Sequence, residues 1–286
     1  MVYTIADVRQ IAPNVTRMVI DAPLIAKKHR PGQFVILING ENGERIPLTV
    51  ADKDAEKGQI VLIFQEVGKS TMEMACLKAG DTLFDVVGPL GKATHIDKFG
   101  TVICVGGGIG TAPIHPITKA LKEAGNHIIT ILGARSANLF IMEEEMARAS
   151  DELYYTTDDG SKGRHGFVTD EIQSILDKGT QVDLVVAIGP AIMMKVVSNL
   201  TRKYELETVV SLNSIMVDGT GMCGACRVTV GGKTKFVCVD GPEFNGHDVD
   251  FDELMKRQQM YREQEKIAVD RYQEHQHKCG CGGSHE

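Results

Sequence analysis

The chain has 286 residues, which favours about two domains, and 31 basic against 38 acidic residues give a net charge of −7. This acidic balance argues against a protein that binds nucleic acid or an anionic membrane surface. No apolar run is long and uninterrupted enough to span a membrane, and charges lie where a signal peptide would be apolar. We therefore expect a cytoplasmic protein without a membrane partner.

Short β-strands separated by Gly, Pro, Asn and Asp dominate residues 1–98. The apolar pattern predicts strands at 16–20, 33–38, 46–50, 60–65 and 81–87 and one helix at 70–77. This pattern is typical of a small antiparallel β-barrel.

Strands alternate with helices of about ten residues over 99–210, which indicates a parallel α/β domain. Residues 211–250 then predict a small β unit with strands at 211–217, 227–230 and 235–239. A charged C-terminal helix is expected over 251–278, and a flexible Gly-, His- and Cys-rich tail over 279–286. The predicted class is α+β multidomain: an antiparallel barrel, a parallel α/β domain and a small C-terminal β unit.

Three of the seven cysteines lie within sixteen residues and form the strongest motif. Cys223, Cys226 and Cys238 follow the spacing C-x2-C-x11-C, and Asp218 stands where plant-type [2Fe–2S] proteins carry another cysteine. Soft thiolates in this arrangement suit an iron–sulfur cluster, with Asp218 as the fourth ligand. Structural zinc, which accepts three thiolates and a carboxylate, is the alternative.

A glycine-rich loop, VGGGIGTAP at 105–113, follows a predicted buried strand and begins a helix. This setting is typical of a dinucleotide site, although G-x-G-x-x-G is not matched. Turns also follow three other predicted parallel strands, at the sheet edge where open α/β sheets bind ligands. For each of these turns, an ordinary surface turn without a ligand is the alternative. Arg135 would attract a 2′-phosphate and Asp158 would repel one, so NAD and NADP both stay open. The candidates on this side are Gly107, Gly108, Ile109, Gly110, Thr111, Arg135, Asp158 and Gly189.

Two motifs in the barrel suit an anionic cofactor. GKST at 68–71 begins the predicted helix, and Ile63 replaces the upstream glycine of a P-loop, so either a helix N-terminal anion site or a surface cap is expected. RIPLT at 45–49 places a cation and a hydroxyl on one strand, as a flavin site needs, or is a solvated strand end. The candidates are Arg45, Pro47, Leu48, Thr49, Gly68, Lys69, Ser70 and Thr71.

Together these motifs resemble the ferredoxin–NADP reductase superfamily. The late D-x4-C-x2-C-x11-C motif is similar to that of dihydroorotate dehydrogenase-type electron-transfer subunits and of ferredoxin:NADP reductase small subunits. The resemblance covers about residues 1–250. It implies FAD on the barrel, held by residues 45–49 and 68–71, although the family's R-x-Y-S tyrosine is absent. It also implies NAD(H) or NADP(H) at 107–111 and a [2Fe–2S] cluster.

The resemblance further implies a function. Hydride would move between nicotinamide and flavin, and single electrons would pass through the cluster to a larger flavin and [4Fe–4S] subunit in a heterodimer. Ferredoxin would react through that complex. The resemblance is also compatible with flavin-based electron bifurcation by the complex. Asp218 departs from the four-cysteine pattern and favours the ferredoxin:NADP reductase type over the dihydroorotate dehydrogenase type. A zinc-stabilised nucleotide-binding regulatory module is the alternative of another class.

Overall fold

Seven antiparallel strands form the N-terminal sheet of the computed structural model, which describes residues 2–41 and 43–279. They are β1 (Tyr3–Ala12), β2 (Val15–Asp21), β3 (Phe34–Ile38), β4 (Ile46–Asp54), β5 (Gln59–Gln65), β6 (Thr82–Leu83) and β7 (Asp85–Leu90). Their order is β6-β1-β2-β5-β4-β3-β7, a nearly closed barrel. The expected barrel is confirmed, with β1 as a strand that the sequence pattern did not predict.

The barrel interior is filled from alternate positions of neighbouring strands. Met18 of β2 lies opposite Leu62 of β5, and both side chains are fully buried in one apolar cluster. Two short helices, α1 (Pro23–Lys28) and α2 (Lys69–Ala75), add Ile25 and Met74 to the same cluster. Burial of these side chains holds α2 against the barrel, so the start of α2 has a fixed position.

A second, mainly parallel sheet follows. Its strands and helices are β8 (Thr101–Gly107), α3 (Thr111–Glu123), β9 (His127–Ala134), α4 (Glu143–Ala149), β10 (Glu152–Thr157), β11 (Arg164–His165), α5 (Val168–Asp177), β12 (Leu184–Ile188), α6 (Ala191–Arg202) and β13 (Glu207–Ser211). The parallel order is β11-β10-β9-β8-β12-β13. The chain reverses direction across the sheet between β8 and β12, which is where such sheets bind ligands.

An apolar joint connects the barrel to this sheet. Ala51 and Ile63 of the barrel pack with Ala112 of α3 and with Ile141. His115 of α3 is buried, and its Nδ1 lies 3.1 Å from the carbonyl oxygen of Ala51. The start of α3, and therefore the glycine loop before it, is fixed relative to strand β4.

The C-terminal unit is built on both a hairpin and the parallel sheet. The hairpin is β14 (Arg227–Val230) with β15 (Lys233–Phe236), followed by the helical turn α7 (Val237–Asp240) and by β16 (Glu243–Asn245), which pairs antiparallel with β13. The predicted strands at 211–217 and 235–239 are wrong in detail. Residues 212–217 are not a strand. Cys238 lies on the helical turn α7, which the Asp240 carboxylate closes by accepting a 2.8 Å hydrogen bond from the Phe236 amide.

Two helices, not one, follow residue 250: α8 (Phe251–Gln258) and α9 (Arg262–Cys279). Phe251 and Leu254 of α8 are buried in the main core. On α9, the hydroxyl of Tyr272 lies 3.8 Å from the thiol of Cys76, so this helix returns to the barrel. The expected flexible tail over 279–286 lies outside the described residues except for Cys279, which ends α9. Within residues 2–41 and 43–279, none of the helices combines the length and the apolar character that a membrane span requires.

The start of α8 gives a stability test. The Asp250 carboxylate accepts a 2.9 Å hydrogen bond from the amide of Glu253. We expect Asp250→Ala to lower the free energy of unfolding by about 1 kcal/mol, because that amide loses its capping partner. Denaturant unfolding followed by circular dichroism measures the free energy of unfolding. Asp252→Ala is the control, because it removes only an ion pair to Lys195 in which the Asp252 side chain is 78% exposed. Equal losses in the two variants would contradict the capping role.

Candidate cluster and nucleotide sites

The cysteine motif forms a loop, residues 217–226, that leads from the parallel sheet into the hairpin; we call it the cluster loop. Gly219, Gly221 and Gly224 all have positive φ, so the backbone turns tightly around the cysteines. Cys226 and Cys238 are buried with their sulfurs 3.2 Å apart, whereas Cys223 is exposed. The motif therefore brings two thiols together in the interior and leaves the third at the surface.

Asp218 lies at the start of the cluster loop and interacts mainly with the loop itself. Its carboxylate accepts hydrogen bonds from the hydroxyl and the amide of Thr220 and from the amide of Met222. These bonds, with the charge of Arg45, hold the pKa of Asp218 below its ordinary value. The carboxylate is thus ionised and next to the cysteine motif.

The thiols differ in how readily they ionise. Backbone N–H groups of Ala225 and Asp218 lower the pKa of Cys223, whereas burial and the neighbouring Cys226 raise the pKa of Cys238.

The spacing of the donors bears on which metal they suit. Among the described residues, no group of three His, Cys, Asp or Glu side chains surrounds one point. Zinc needs four donors around one ion, whereas two irons divide the donors between them, so this set fits a binuclear cluster better.

The glycine loop lies at the switch point between β8 and β12. A side chain on Gly107 would overlap the sulfur of Met193, and one on Gly110 would overlap the carbonyl of Ile188. Around Gly108, at φ +55°, the space is open. The loop is therefore tightly packed at Gly107 and Gly110 and open at Gly108, so a flat or phosphorylated ligand can approach its backbone there.

The other turns predicted on the nucleotide side meet at the same sheet edge. Gly189 follows β12, and a side chain there would come within 3.1 Å of Gly107 Cα. Arg135 and Asp158 follow the paired strands β9 and β10, and both are exposed. The amide of Asp158 donates to Ala134 at 3.1 Å, so the two turns form one rim. Thr111 is buried at the start of α3, and Ile109 packs on the joint to the barrel.

The candidates on the flavin side lie on two barrel elements. Pro47, Leu48 and Thr49 are on β4, paired with β3. Gly68 precedes α2 with open space where its side chain would be, and Thr71 bonds to both the amide and the carbonyl of Gly68. The hydroxyl of Ser70 donates to Glu44, and Lys69 lies 3.6 Å from Glu73. With no acidic residue in its first turn, the start of α2 suits a phosphate.

Arg45 makes contacts that the sequence pattern did not indicate. Its Nε donates to the carbonyl of Val217 at 2.7 Å, and a terminal nitrogen donates to the carbonyl of Asp218 at 3.2 Å. The structure therefore links the flavin-side strand directly to the cluster loop.

Comparison with known proteins identifies the family. Residues 213–250 match the iron–sulfur cluster binding domain of dihydroorotate dehydrogenase B, and residues 104–199 match the oxidoreductase NAD-binding domain. A dihydroorotate dehydrogenase B electron transfer subunit homolog from Thermotoga maritima is 52% identical over 92% of this chain and 93% of its own length. The chain belongs to this family of electron-transfer subunits.

Other relatives agree with this electron-transfer subunit family. The dihydroorotate dehydrogenase B electron transfer subunit of Geobacillus thermodenitrificans is 34% identical over 86% of this chain and 96% of its own length. A solved chain from the NADH-dependent reduced ferredoxin-NADP oxidoreductase is 49% identical, covers 95% of this chain and 98% of its own length, and gives a TM-score of 0.91. Phthalate dioxygenase reductase, at 17% identity and a TM-score of 0.58, shares the fold. The expected oxidoreductase class, fold and family are confirmed.

One half-buried acid of this electron-transfer subunit was not predicted from the sequence. Glu243 on β16 pairs with Ser211 of β13, and its carboxyl accepts a 2.5 Å hydrogen bond from the Thr94 hydroxyl. Burial raises the pKa of Glu243 to about 7. A side chain on Gly32 would come within 2.7 Å of this carboxyl, so barrel, linker and cluster unit meet here. Only the folded chain brings these segments together, so the sequence carries no local signal for the site.

Glu243 makes stability depend on pH. Its pKa rises from 4.5 to about 7 on folding, so the native state binds more protons than the unfolded state and loses stability as pH rises through that range. The shift corresponds to about 3 kcal/mol, and Glu243→Gln should remove most of this loss. Urea unfolding at pH 5 and pH 8 tests this, with the exposed Glu207 on β13 changed to Gln as control. An unchanged pH dependence in Glu243→Gln would show that the carboxyl does not control it.

Proposed function

We propose that this chain is the electron-transfer subunit of a larger oxidoreductase complex. It takes hydride from a reduced nicotinamide nucleotide onto FAD and delivers single electrons through a [2Fe–2S] cluster to a partner subunit. The observation that carries this proposal is the direct contact of the flavin-side strand with the cluster loop through Arg45. That contact supports a flavin region and a cluster region that lie side by side within one chain.

The barrel residues would hold FAD. The open N-terminus of α2, at Gly68, Lys69, Ser70 and Thr71, presents backbone N–H groups and a cation to the pyrophosphate. Residues 47–49 on β4 present backbone and a threonine hydroxyl to the ring system. When bound, the cofactors supply the hydride and one-electron chemistry, and the chain fixes their relative positions.

The sheet edge would hold the nicotinamide nucleotide. The tightly packed glycine loop 107–111 and Gly189 allow close approach at the switch point, and the rim with Arg135 and Asp158 would contact the adenosine end. The hydrogen bond between His115 and Ala51 keeps this edge in a fixed position relative to the barrel. Orientation of the two nucleotides is the contribution of these residues.

The cluster loop would hold two irons through two pairs of ligands. Cys226 and Cys238, with sulfurs 3.2 Å apart, form the buried pair, and the half-buried Asp218 with the exposed Cys223 forms the outer pair. The outer pair lies next to Met222, which is 87% exposed, and Val217, which is 51% exposed. This rim is where an electron partner would approach.

We propose a larger flavin and [4Fe–4S] subunit as that partner, with ferredoxin reacting through the heterodimer and the complex located in the cytoplasm. The NADH-dependent reduced ferredoxin-NADP oxidoreductase chain, 49% identical, supports this assignment, as does Asp218. The alternative, a dihydroorotate dehydrogenase subunit, is favoured by the names of the Thermotoga and Geobacillus relatives. Co-purification of the native complex separates them by the second polypeptide: an iron–sulfur flavoprotein or a barrel-type flavoprotein.

The visible spectrum tests the cofactor content. Protein purified anaerobically should show flavin bands and broader iron–sulfur absorption, and dithionite should bleach both, because both groups accept electrons. Iron analysis should give two irons per chain. A colourless, zinc-containing preparation would instead establish the zinc-stabilised regulatory module.

The ligand role of Asp218 has its own test. Asp218→Cys should retain a cluster but lower its reduction potential, because a thiolate donates more charge to iron than a carboxylate. An EPR-monitored redox titration measures the shift. Thr220→Ala, which removes a hydrogen bond to Asp218 and keeps the carboxylate, is the control and should shift the potential less. An unaltered potential in Asp218→Cys would argue against ligation by residue 218.

A further inference from the structure

The guanidinium of Arg45 bridges two parts of the chain that are far apart in sequence. Arg45 immediately precedes β4, and its partner Val217 lies 172 residues later. Both hydrogen bonds go to consecutive main-chain carbonyls, those of Val217 and Asp218, at 2.7 and 3.2 Å. The planar fork of arginine suits two neighbouring acceptors, which a lysine ammonium cannot match in the same way.

The cluster loop also packs on the barrel directly after these carbonyls. Gly219 has φ +81°, and a side chain there would overlap Ile36 Cδ1 of β3 and come within 3.1 Å of Leu90 Cδ1 of β7. The backbone of the loop therefore lies on the strand next to β4. Arg45 holds the two residues before this contact, so the hydrogen bonds and the packing act on the same short segment.

Arg45 also places a positive charge beside the cluster motif. Its guanidinium lies within hydrogen-bond distance of the main chain of Asp218, at 3.2 Å from the carbonyl oxygen. A fixed cation near a redox centre stabilises the more negative, reduced state. This effect is distinct from any contact of Arg45 with flavin phosphates, since the guanidinium has five N–H donors and only two are engaged with the loop.

We propose that Arg45 is a positioning residue for the cluster: it docks the cluster loop on the flavin-side strand and raises the reduction potential of the cluster. This inference rests on the proposed function for the presence of the cluster, and the docking itself concerns only residues of this chain. It gives Arg45 a role beyond the flavin pyrophosphate contact that the family resemblance implies.

The experiment compares Arg45→Gln, Arg45→Lys and Lys69→Gln in the full chain as purified anaerobically. Three quantities are measured: hydrogen–deuterium exchange of the amides at 219–226, the cluster potential by EPR-monitored titration, and the dissociation constant of FAD. Lys69→Gln is the matched control, because it removes a cation from the flavin side whose ion pair, at 3.6 Å, is to Glu73 of its own helix.

In Arg45→Gln, exchange in the loop should become about tenfold faster, because the lost hydrogen bonds from a charged donor are worth at least about 1.4 kcal/mol. The cluster potential should become more negative. Arg45→Lys should show the faster exchange with a smaller shift in potential, since the charge remains. Lys69→Gln should weaken FAD binding and change neither loop exchange nor potential.

Weaker FAD binding in Arg45→Gln with unchanged exchange and potential would overturn the proposal and leave Arg45 as a flavin ligand alone. If Arg45→Gln does not fold, Arg45→Lys decides by the same measurements. If the unmodified chain contains no cluster, the proposed function fails, and loop exchange in the same variants still decides whether Arg45 docks the loop.

Discussion

The cluster loop contacts the barrel at Gly219, a position where a side chain would not fit. At Gly219 a left-handed backbone and the absence of Cβ let the loop lie on Ile36 and Leu90. The hydrogen bonds of Arg45 then fix the loop from the adjacent strand. If the loop stood off from the barrel by one side-chain layer, the regions assigned to flavin and cluster would no longer adjoin.

A similar constraint operates at the nucleotide edge. Gly107, Gly110 and Gly189 are packed so closely that a methyl group on any of them would collide with Met193 or with the backbone at the end of β12. Parallel pairing brings these turns to one edge from distant parts of the sequence. The apolar joint and His115 then orient that edge toward the barrel, so one rigid frame carries all three proposed cofactor regions.

The sequence predicted best where a local pattern determines the structure. Buried strands such as β8 and β12 and the amphipathic helices between them were recognised from apolar runs and helical spacing. Strand β1 was missed because its outward positions, among them Asp7 and Arg9, break the apolar pattern. The end of α8 was missed because no Gly or Pro marks residues 259–261. The carbonyl partners of Arg45 and the burial of Glu243 depend on the packed fold, and no local pattern encodes them.

The antiparallel pairing of β16 with β13 has a consequence for electron delivery. Ser211 pairs with Glu243 and Val209 with Asn245, so the segment after Cys238 is part of the nucleotide sheet. A redox domain on a flexible linker can move between donor and acceptor, whereas one whose strand pairs with a sheet cannot move away without breaking the hydrogen bonds between those strands. The cluster unit of this chain therefore keeps one fixed position, and an electron acceptor has to bind next to it.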